Sequence, residues 1–245
     1  MEATCGMPVC QLRFTQCNHD RRSPMASMIQ QTPVRRTLFI VGLRNFDQEF
    51  SGTRHNIGAT VLHHLAKRMS ARPWSSRGDA DVAVLQEQVQ LILPRTFMNL
   101  SGKPVAKFFP KREHAVQDLL VVQDELELKL GQVKIKVGGS ARGHNGVKSI
   151  IDSLGGLNGF SRVLVGIDRP VSRDGKAVAA HVLQRFNRSE QEQLDLAMEN
   201  ACNVIEGVIR QKIAPPLPPP VKKPAAPGGG TNIEINKVLE HHDKK

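Results

Sequence analysis

The residues best suited to chemistry in this chain lie in Phe50-Ser-Gly-Thr-Arg-His-Asn-Ile-Gly58. A histidine titrates near neutrality, which suits it to proton transfer. His55 follows the apolar run Thr37-Leu-Phe-Ile-Val-Gly-Leu43, which reads as a strand. It precedes Ala59-Thr-Val-Leu-His-His-Leu-Ala-Lys-Arg-Met69, which reads as a helix. Sites in open α/β sheets form at such strand ends, so His55 is expected to be a general base. Asp124 follows Asp118-Leu-Leu-Val-Val-Gln123, a buried-strand pattern that would hold it rigidly. A carboxylate that accepts from one imidazole nitrogen leaves the other nitrogen basic and oriented. His55 and Asp124 are therefore a candidate base–orienter dyad. By spacing alone each also reads blandly: His55 as a capping or solvated residue, Asp124-Glu125 as a turn cap.

Five islands share this character: Arg44-Asn45, His55-Asn56, Met98-Asn99, Asp124-Glu125 and His144-Asn145. Each carries an Asn, His or Asp at an expected strand end or helix start. Neutral amides at several loop ends bind a peptide-like group or a sugar through directional hydrogen bonds. No Gly-x-Ser-x-Gly elbow and no His-Glu-x-x-His zinc motif is present, which argues against a serine hydrolase and a zincin. Gly138-Gly-Ser-Ala-Arg-Gly-His-Asn-Gly146 is glycine-rich. It lacks the Gly-Lys-Ser/Thr ending of a phosphate-binding loop and does not match the dinucleotide fingerprint. A water nucleophile with histidine as base remains.

The elements that must position these residues alternate. Asp81-Val-Ala-Val-Leu-Gln-Glu-Gln-Val-Gln-Leu-Ile-Leu93 reads as two strands about a short turn. Ser101 is expected to cap a helix through Phe109. Gly131-Gln-Val-Lys-Ile-Lys-Val137 alternates like a half-exposed strand, with Lys134 and Lys136 on one face. A helix follows Gly143-His-Asn-Gly146 through Leu154, then a strand over Ser161–Ile167, and Ser189 is expected to cap a long last helix through Gln211. The sum predicts an α/β fold: a single globular domain, a twisted mixed β-sheet flanked by helices.

The chain has 245 residues, net charge +11, 40% hydrophobic and only 4% aromatic residues, with no Tyr. The core should be aliphatic. The positive charge points to an acidic partner, nucleic acid first. Lys103, Lys107, Lys111, Arg112, Lys134, Lys136, Arg142 and Lys148 place part of it centrally. Cys5, Cys10, Cys17 and Cys202 form no Cys-x-x-Cys pair, against a disulfide framework or a cysteine zinc site. No run of 18 apolar residues occurs, so no membrane span is expected. Residues 1–34 read as a disordered leader or targeting segment, with Arg13, Arg21 and Arg22 suiting a mitochondrial presequence. Localisation stays open between cytoplasm and mitochondrion. Residues 35–211 read as the catalytic domain. Residues 212–245 read as a disordered Pro/Gly-rich basic tail.

Val41-Gly-Leu-Arg-Asn45, Thr53-Arg-His-Asn-Ile-Gly58, Pro94-Arg-Thr-Phe-Met-Asn-Leu-Ser-Gly102, Asp124-Glu-Leu126 and Gly143-His-Asn-Gly-Val-Lys148, in this order, resemble bacterial-type peptidyl-tRNA hydrolase. The chain reads as a eukaryotic member of that family. The resemblance implies hydrolysis of the ester between a nascent peptide and the 3′-terminal ribose of tRNA, without metal or organic cofactor. It implies that His55 activates water, that Asp124 holds His55 in its basic form, and that Asn45 distinguishes a blocked amino group from a free one. Phe50, Phe97, Asn99 and Asn145 fall at tRNA- and peptide-contacting positions, with Met98 and His144 lining the same groove. Lys134 and Lys136 are candidates for phosphate contacts. The expected partner is peptidyl-tRNA, met at its 3′ CCA end and acceptor stem by a monomer.

The family usually shows Gly-Asn-Pro-Gly where this chain has Arg44-Asn45-Phe46-Asp47. Phe50 replaces a usual Tyr. Leu164 stands where bacterial members often carry a phosphate-clamping Arg, for which Arg162 or Arg142 could compensate. Two rivals remain at this level: a non-catalytic RNA-binding relative, and a hydrolase of another N-blocked ester.

Overall fold

The computed structural model describes residues 36–109 and 113–213. The expected leader and the tail from residue 214 onward lie outside them, as do Lys111 and Arg112.

Three runs of β-branched and aliphatic residues make the centre of the sheet. Strand β1 (Leu38–Gly42) is buried along its whole length, and β5 (Leu119–Glu125) nearly so. Continuous burial is what a parallel strand covered on both faces requires. β1 pairs in parallel with β4 (Val89–Pro94) on one side and with β5 on the other. β5 pairs in parallel with β7 (Ser161–Gly166). Antiparallel strands close both flanks: β2 (Ser75–Arg77) and β3 (Ala80–Gln86) beyond β4, and β6 (Val133–Val137) beyond β7. The order is β2-β3-β4-β1-β5-β7-β6, a seven-stranded mixed sheet, as the alternating pattern predicted.

Helices cover both faces. α1 (Ile57–Arg68) and α5 (Gln191–Ile213) place Val61, Leu62, Leu65, Ala201, Ile205 and Ile209 against Leu38, Ile40, Leu120 and Val122. These positions recur at helical spacing, the apolar stripe that burial against a sheet demands. The opposite face packs α2 (Gly102–Phe108) and α3 (Asn145–Ser153) over Phe39, Val41 and Val121. α4 (Gly175–Leu183) has no fully buried residue, and its Val182 packs against the core. The core is mainly aliphatic, and Phe39, Phe109 and Phe160 are its buried aromatics.

Four local expectations need correction. Ser101 precedes α2, but its hydroxyl makes no cap bond and is buried without a partner. Ser189 does not cap the last helix. Asn187 and Glu190 form a capping box there, with Ser189 Oγ donating to Asn187 Oδ1. That helix runs on to Ile213, past the expected boundary at 211. In β6 the alternation is present but its apolar side is not buried: Ile135 and Val137 are 49% and 73% exposed. β6 is an edge strand, so little of the helical layer reaches it.

Candidate active site

β1, β4 and β5 run in the same direction, so their carboxyl ends meet at one edge of the sheet. Asn45 lies just past the end of β1, Met98 and Asn99 just past β4, and Asp124 one residue before the end of β5. That edge, where connections leave in opposite directions, is where open α/β sheets form crevices.

His55 reaches this edge from a single 3-10 turn, Arg54–Asn56, that runs directly into α1. Its placement depends on Gly58. A Cβ at that position would lie 2.4 Å from the Val122 carbonyl oxygen and 2.8 Å from the Leu43 nitrogen. The helix start therefore rests on the backbones of β5 and of the segment leaving β1, which brings His55 over the end of β5. His55 Nδ1 lies 2.9 Å from Asp124 Oδ1. The same carboxylate oxygen lies 2.9 Å from His144 Nε2.

His144 caps α3, its Nδ1 accepting from the amides of Gly146 and Val147 at 3.2 and 3.4 Å. With Nδ1 an acceptor, the proton of neutral His144 sits on Nε2 and is donated to Asp124. His55 likewise donates from Nδ1, which leaves its Nε2 as the free basic nitrogen. Burial alone would raise the Asp124 carboxyl, but the two imidazoles hold it well below the usual carboxylate range. Burial alone would lower His55, and the charge and hydrogen bond of Asp124 outweigh it, raising its pKa. The three side chains are close enough together to hold a cation. As found, however, Asp124 Oδ1 is taken by two N–H groups and His144 has no free lone pair, so the donor set is that of a hydrogen-bond relay.

The amides are arranged with equal economy. Asn56 Oδ1 accepts from the Asn45 backbone amide at 2.7 Å, and Asn56 Nδ2 donates to the Asn45 carbonyl at 2.9 Å. Asn45 Oδ1 accepts from the Met98 amide at 2.7 Å. The Asn45 side chain thus keeps its Nδ2, a pure donor, for the crevice. The loop that departs from the family pattern is fixed without glycine. Arg44 turns away from the crevice, donating to Pro94 O at 2.9 Å and pairing with Asp81 at 2.6 Å. No residue from Arg44 to Asp47 takes a positive φ. Phe46 lies near both the Arg44 and Arg95 guanidinium groups.

The crevice encloses about 820 Å³. Asn45, Phe50, His55, Phe97, Met98, Asn99, Asp124, Lys136, His144 and Asn145 all line it, so the structure brings together ten of the eleven expected residues. Phe50 and Phe97 meet edge to face at 6.4 Å, and Phe97 is half-exposed. Lys134, two residues from Lys136 on β6, is exposed and does not line the crevice. Arg162 donates to Ser140 O at 3.0 Å and Gly138 O at 2.5 Å, so this guanidinium holds the glycine-rich loop. Arg142 is exposed on the crevice rim at φ 49°, and Leu164 lines the same crevice.

Sequence reasoning missed α4, whose Val178, Ala179, Val182 and Leu183 form an apolar wall. Asp174, which caps α4 by accepting from the amides of Lys176 and Ala177, was the available signal. Asn56, named beside His55 in the sequence, had no role assigned to it there; the structure makes it the tie to Asn45. Cys202 is the one cysteine among the described residues; it is buried, and burial pushes its thiol up to about 11, so it offers no nucleophile.

Fold and crevice together define an α/β enzyme whose imidazole–carboxylate centre sits at the carboxyl edge of a mixed sheet. The chain belongs to the peptidyl-tRNA hydrolase family, whose sequence profile matches residues 39–217. It is 39% identical over 173 residues to the peptidyl-tRNA hydrolase of Staphylococcus saprophyticus, covering 69% of this chain and 90% of that protein. It is 41% identical over 177 residues to that of Syntrophomonas wolfei, covering 71% and 94%. The crystal structure of peptidyl-tRNA hydrolase from Acinetobacter baumannii superposes with a TM-score of 0.61 at 29% identity, covering 72% of this chain and 92% of that one. These relatives are bacterial, and the expectation of a eukaryotic member is not borne out by them.

Proposed function

We propose that this protein hydrolyses the ester linking a peptide to the 3′-terminal ribose of tRNA, with His55 as the base and Asp124 as its orienter. The observation that carries the assignment of roles is the 2.9 Å contact between His55 Nδ1 and Asp124 Oδ1, which leaves Nε2 as the free basic nitrogen of a side chain that lines the crevice. In the first step Nε2 takes a proton from water while the water oxygen attacks the ester carbonyl carbon. Asp124 stabilises the imidazolium that forms. Collapse of the tetrahedral intermediate breaks the bond to the ribose oxygen, which takes its proton back from His55. The products are the peptide carboxylate and tRNA with a free hydroxyl. No metal or organic cofactor enters this scheme.

Asn45 Nδ2 donates to the peptide carbonyl that only an N-blocked substrate carries. A free α-amino group offers that donor no acceptor lone pair when protonated. Phe50 and Phe97 supply stacking faces for unpaired bases of the CCA end, and Asn99 and Asn145 supply hydrogen bonds to base edges or ribose hydroxyls. Lys136 and Lys134, on one face of β6, contact backbone phosphates of the acceptor stem. A monomer contains all of these groups.

The test is release of N-acetyl-amino acid from N-acetyl-aminoacyl-tRNA. His55→Ala should lower kcat by at least about 10²-fold, the scale of general base catalysis, while deacylated tRNA binds as before. Turnover at the native rate in that variant would remove His55 from the role.

A further inference from the structure

α4 forms one wall of the crevice yet buries no residue fully; Val182 packs against the core from its last turn, and polar ties at both ends add to that contact. At its start Asp174 caps it, and His181 Nε2 bonds the carbonyls of Ile167 and Asp168 at 3.1 and 3.0 Å. At its other end the chain is tied to the residue next to His55. The Arg54 amide donates to Gln184 O at 2.9 Å, and Thr53 bridges to Arg185. The Arg54 side chain, 6% exposed, then makes three different contacts with the following segment. One nitrogen donates to Arg185 O at 2.7 Å, a second pairs with the Glu190 carboxylate, and the guanidinium plane lies 4.8 Å from the centre of the Phe186 ring. Glu190 is fixed in turn by the Asn187 amide at 2.8 Å.

We infer that Arg54 is a positioning residue that sets the α4 wall against His55, so that the Arg54–Glu190 pair determines how the acyl part of the substrate fits beside the base. This rests on the reading of His55 as the base. A planar guanidinium meets a carbonyl, a carboxylate and an aromatic face through separate, rigidly spaced groups; an ammonium offers one compact point for all three. Arg54 lies within the chain's turn into α1, so any shift of the wall is transmitted to the loop that carries His55. The wall side chains nearest this tie, Val182 and Leu183, are apolar, which makes the acyl side chain the part of the substrate that senses it.

The experiment compares kcat/KM for N-acetyl-leucyl-tRNA and N-acetyl-glycyl-tRNA in the native protein, Arg54→Lys, Glu190→Gln and the double variant. Glu190 is partly exposed, so Glu190→Gln keeps a folded protein should Arg54→Lys not. Displacement of a reacting group by about 1 Å costs on the order of 10²-fold. The variants should accordingly lose roughly ten- to a hundredfold in kcat/KM. Their leucyl-to-glycyl ratio should move toward unity, and the double variant should be no worse than the poorer single. Deacylated tRNA should bind all four alike. An unchanged ratio, or losses that multiply in the double variant, would overturn the inference. His55→Ala is run alongside: if it is inactive while Arg54→Lys and Glu190→Gln keep the native ratio, only the positioning role fails. If His55→Ala is fully active, the reading of the base fails instead.

Discussion

Asn56 holds Asn45 by both of its backbone groups, accepting from the amide at 2.7 Å and donating to the carbonyl at 2.9 Å. Asn56 is the next residue after His55. The proposed base and the proposed reader of the peptide bond are thus fixed to one another by a side chain that need not touch substrate. Both asparagines are buried, where a polar group that loses its partner costs about 1–3 kcal/mol. Asn56→Ala should therefore lower unfolding free energy by about that amount, read in a urea titration. It should also reduce kcat on N-acetyl-aminoacyl-tRNA more than it weakens binding of deacylated tRNA. A variant with native kcat would show that Asn45 holds its place unaided.

Asp124→Asn should move the pH profile in a definite direction. Asp124 raises the His55 pKa above the ordinary 6.5, against a burial effect that lowers it. In the native protein the basic form gains ground as pH rises through a midpoint above 6.5, and kcat/KM should follow it. Without the carboxylate charge, burial is left unopposed and the midpoint should fall below 6.5. The plateau should fall as well, because the tautomer is no longer enforced. A kcat/KM profile across the neutral range reads both changes.

His144→Ala predicts the opposite shift. His144 and His55 share one oxygen of Asp124. Removing one donor leaves the carboxylate charge to act on His55 alone, so the kcat/KM midpoint should rise relative to the native protein. The α3 cap is also lost, at about 1 kcal/mol, which a shift in Tm will report.

Arg142→Gly separates charge from backbone. Arg142 holds a left-handed conformation, φ 49°, on the crevice rim, which costs a non-glycine residue on the order of 1 kcal/mol. Glycine removes that cost, so stability should be equal or higher. If Arg142 meets a phosphate, the slope of log K against log salt for tRNA should shallow by about one unit. An unchanged slope would place the guanidinium away from the RNA.

Much of the site was legible because it is built from short contiguous motifs at strand ends. The runs before Arg44 and Asp124 are buried strands, and a rigid strand fixes the position of the residue that leaves it. The order of the strands across the sheet, which brings Asn45, Met98 and Asp124 to one edge, has no local signature. α4 was missed because its residues carry no buried stripe; its sequence reads as connection, and the segment leaving it is tied by hydrogen bonds from the amide and side chain of Arg54, far along the chain. The second bond to Asp124 was equally hidden. Nothing in Gly143-His-Asn-Gly146 says that His144 will cap a helix with one nitrogen and serve a carboxylate with the other. The exposed apolar side of β6 went unread because alternation reports two faces but not whether a neighbouring layer covers either.

The contact at Gly58 has a consequence for how the protein tolerates change. The start of α1 is seated on a carbonyl of β5 with no side chain between them. The spacing of His55 and Asp124 is then a property of two backbones in contact, insulated from the identity of the residues that fill the interior. Leu, Ile and Val can be exchanged beneath the sheet over long divergence while the geometry at its edge stays put. Substitutions that fill the interior differently leave this backbone seat in place, because the 2.9 Å contact of His55 with Asp124 hangs on it and not on the core side chains.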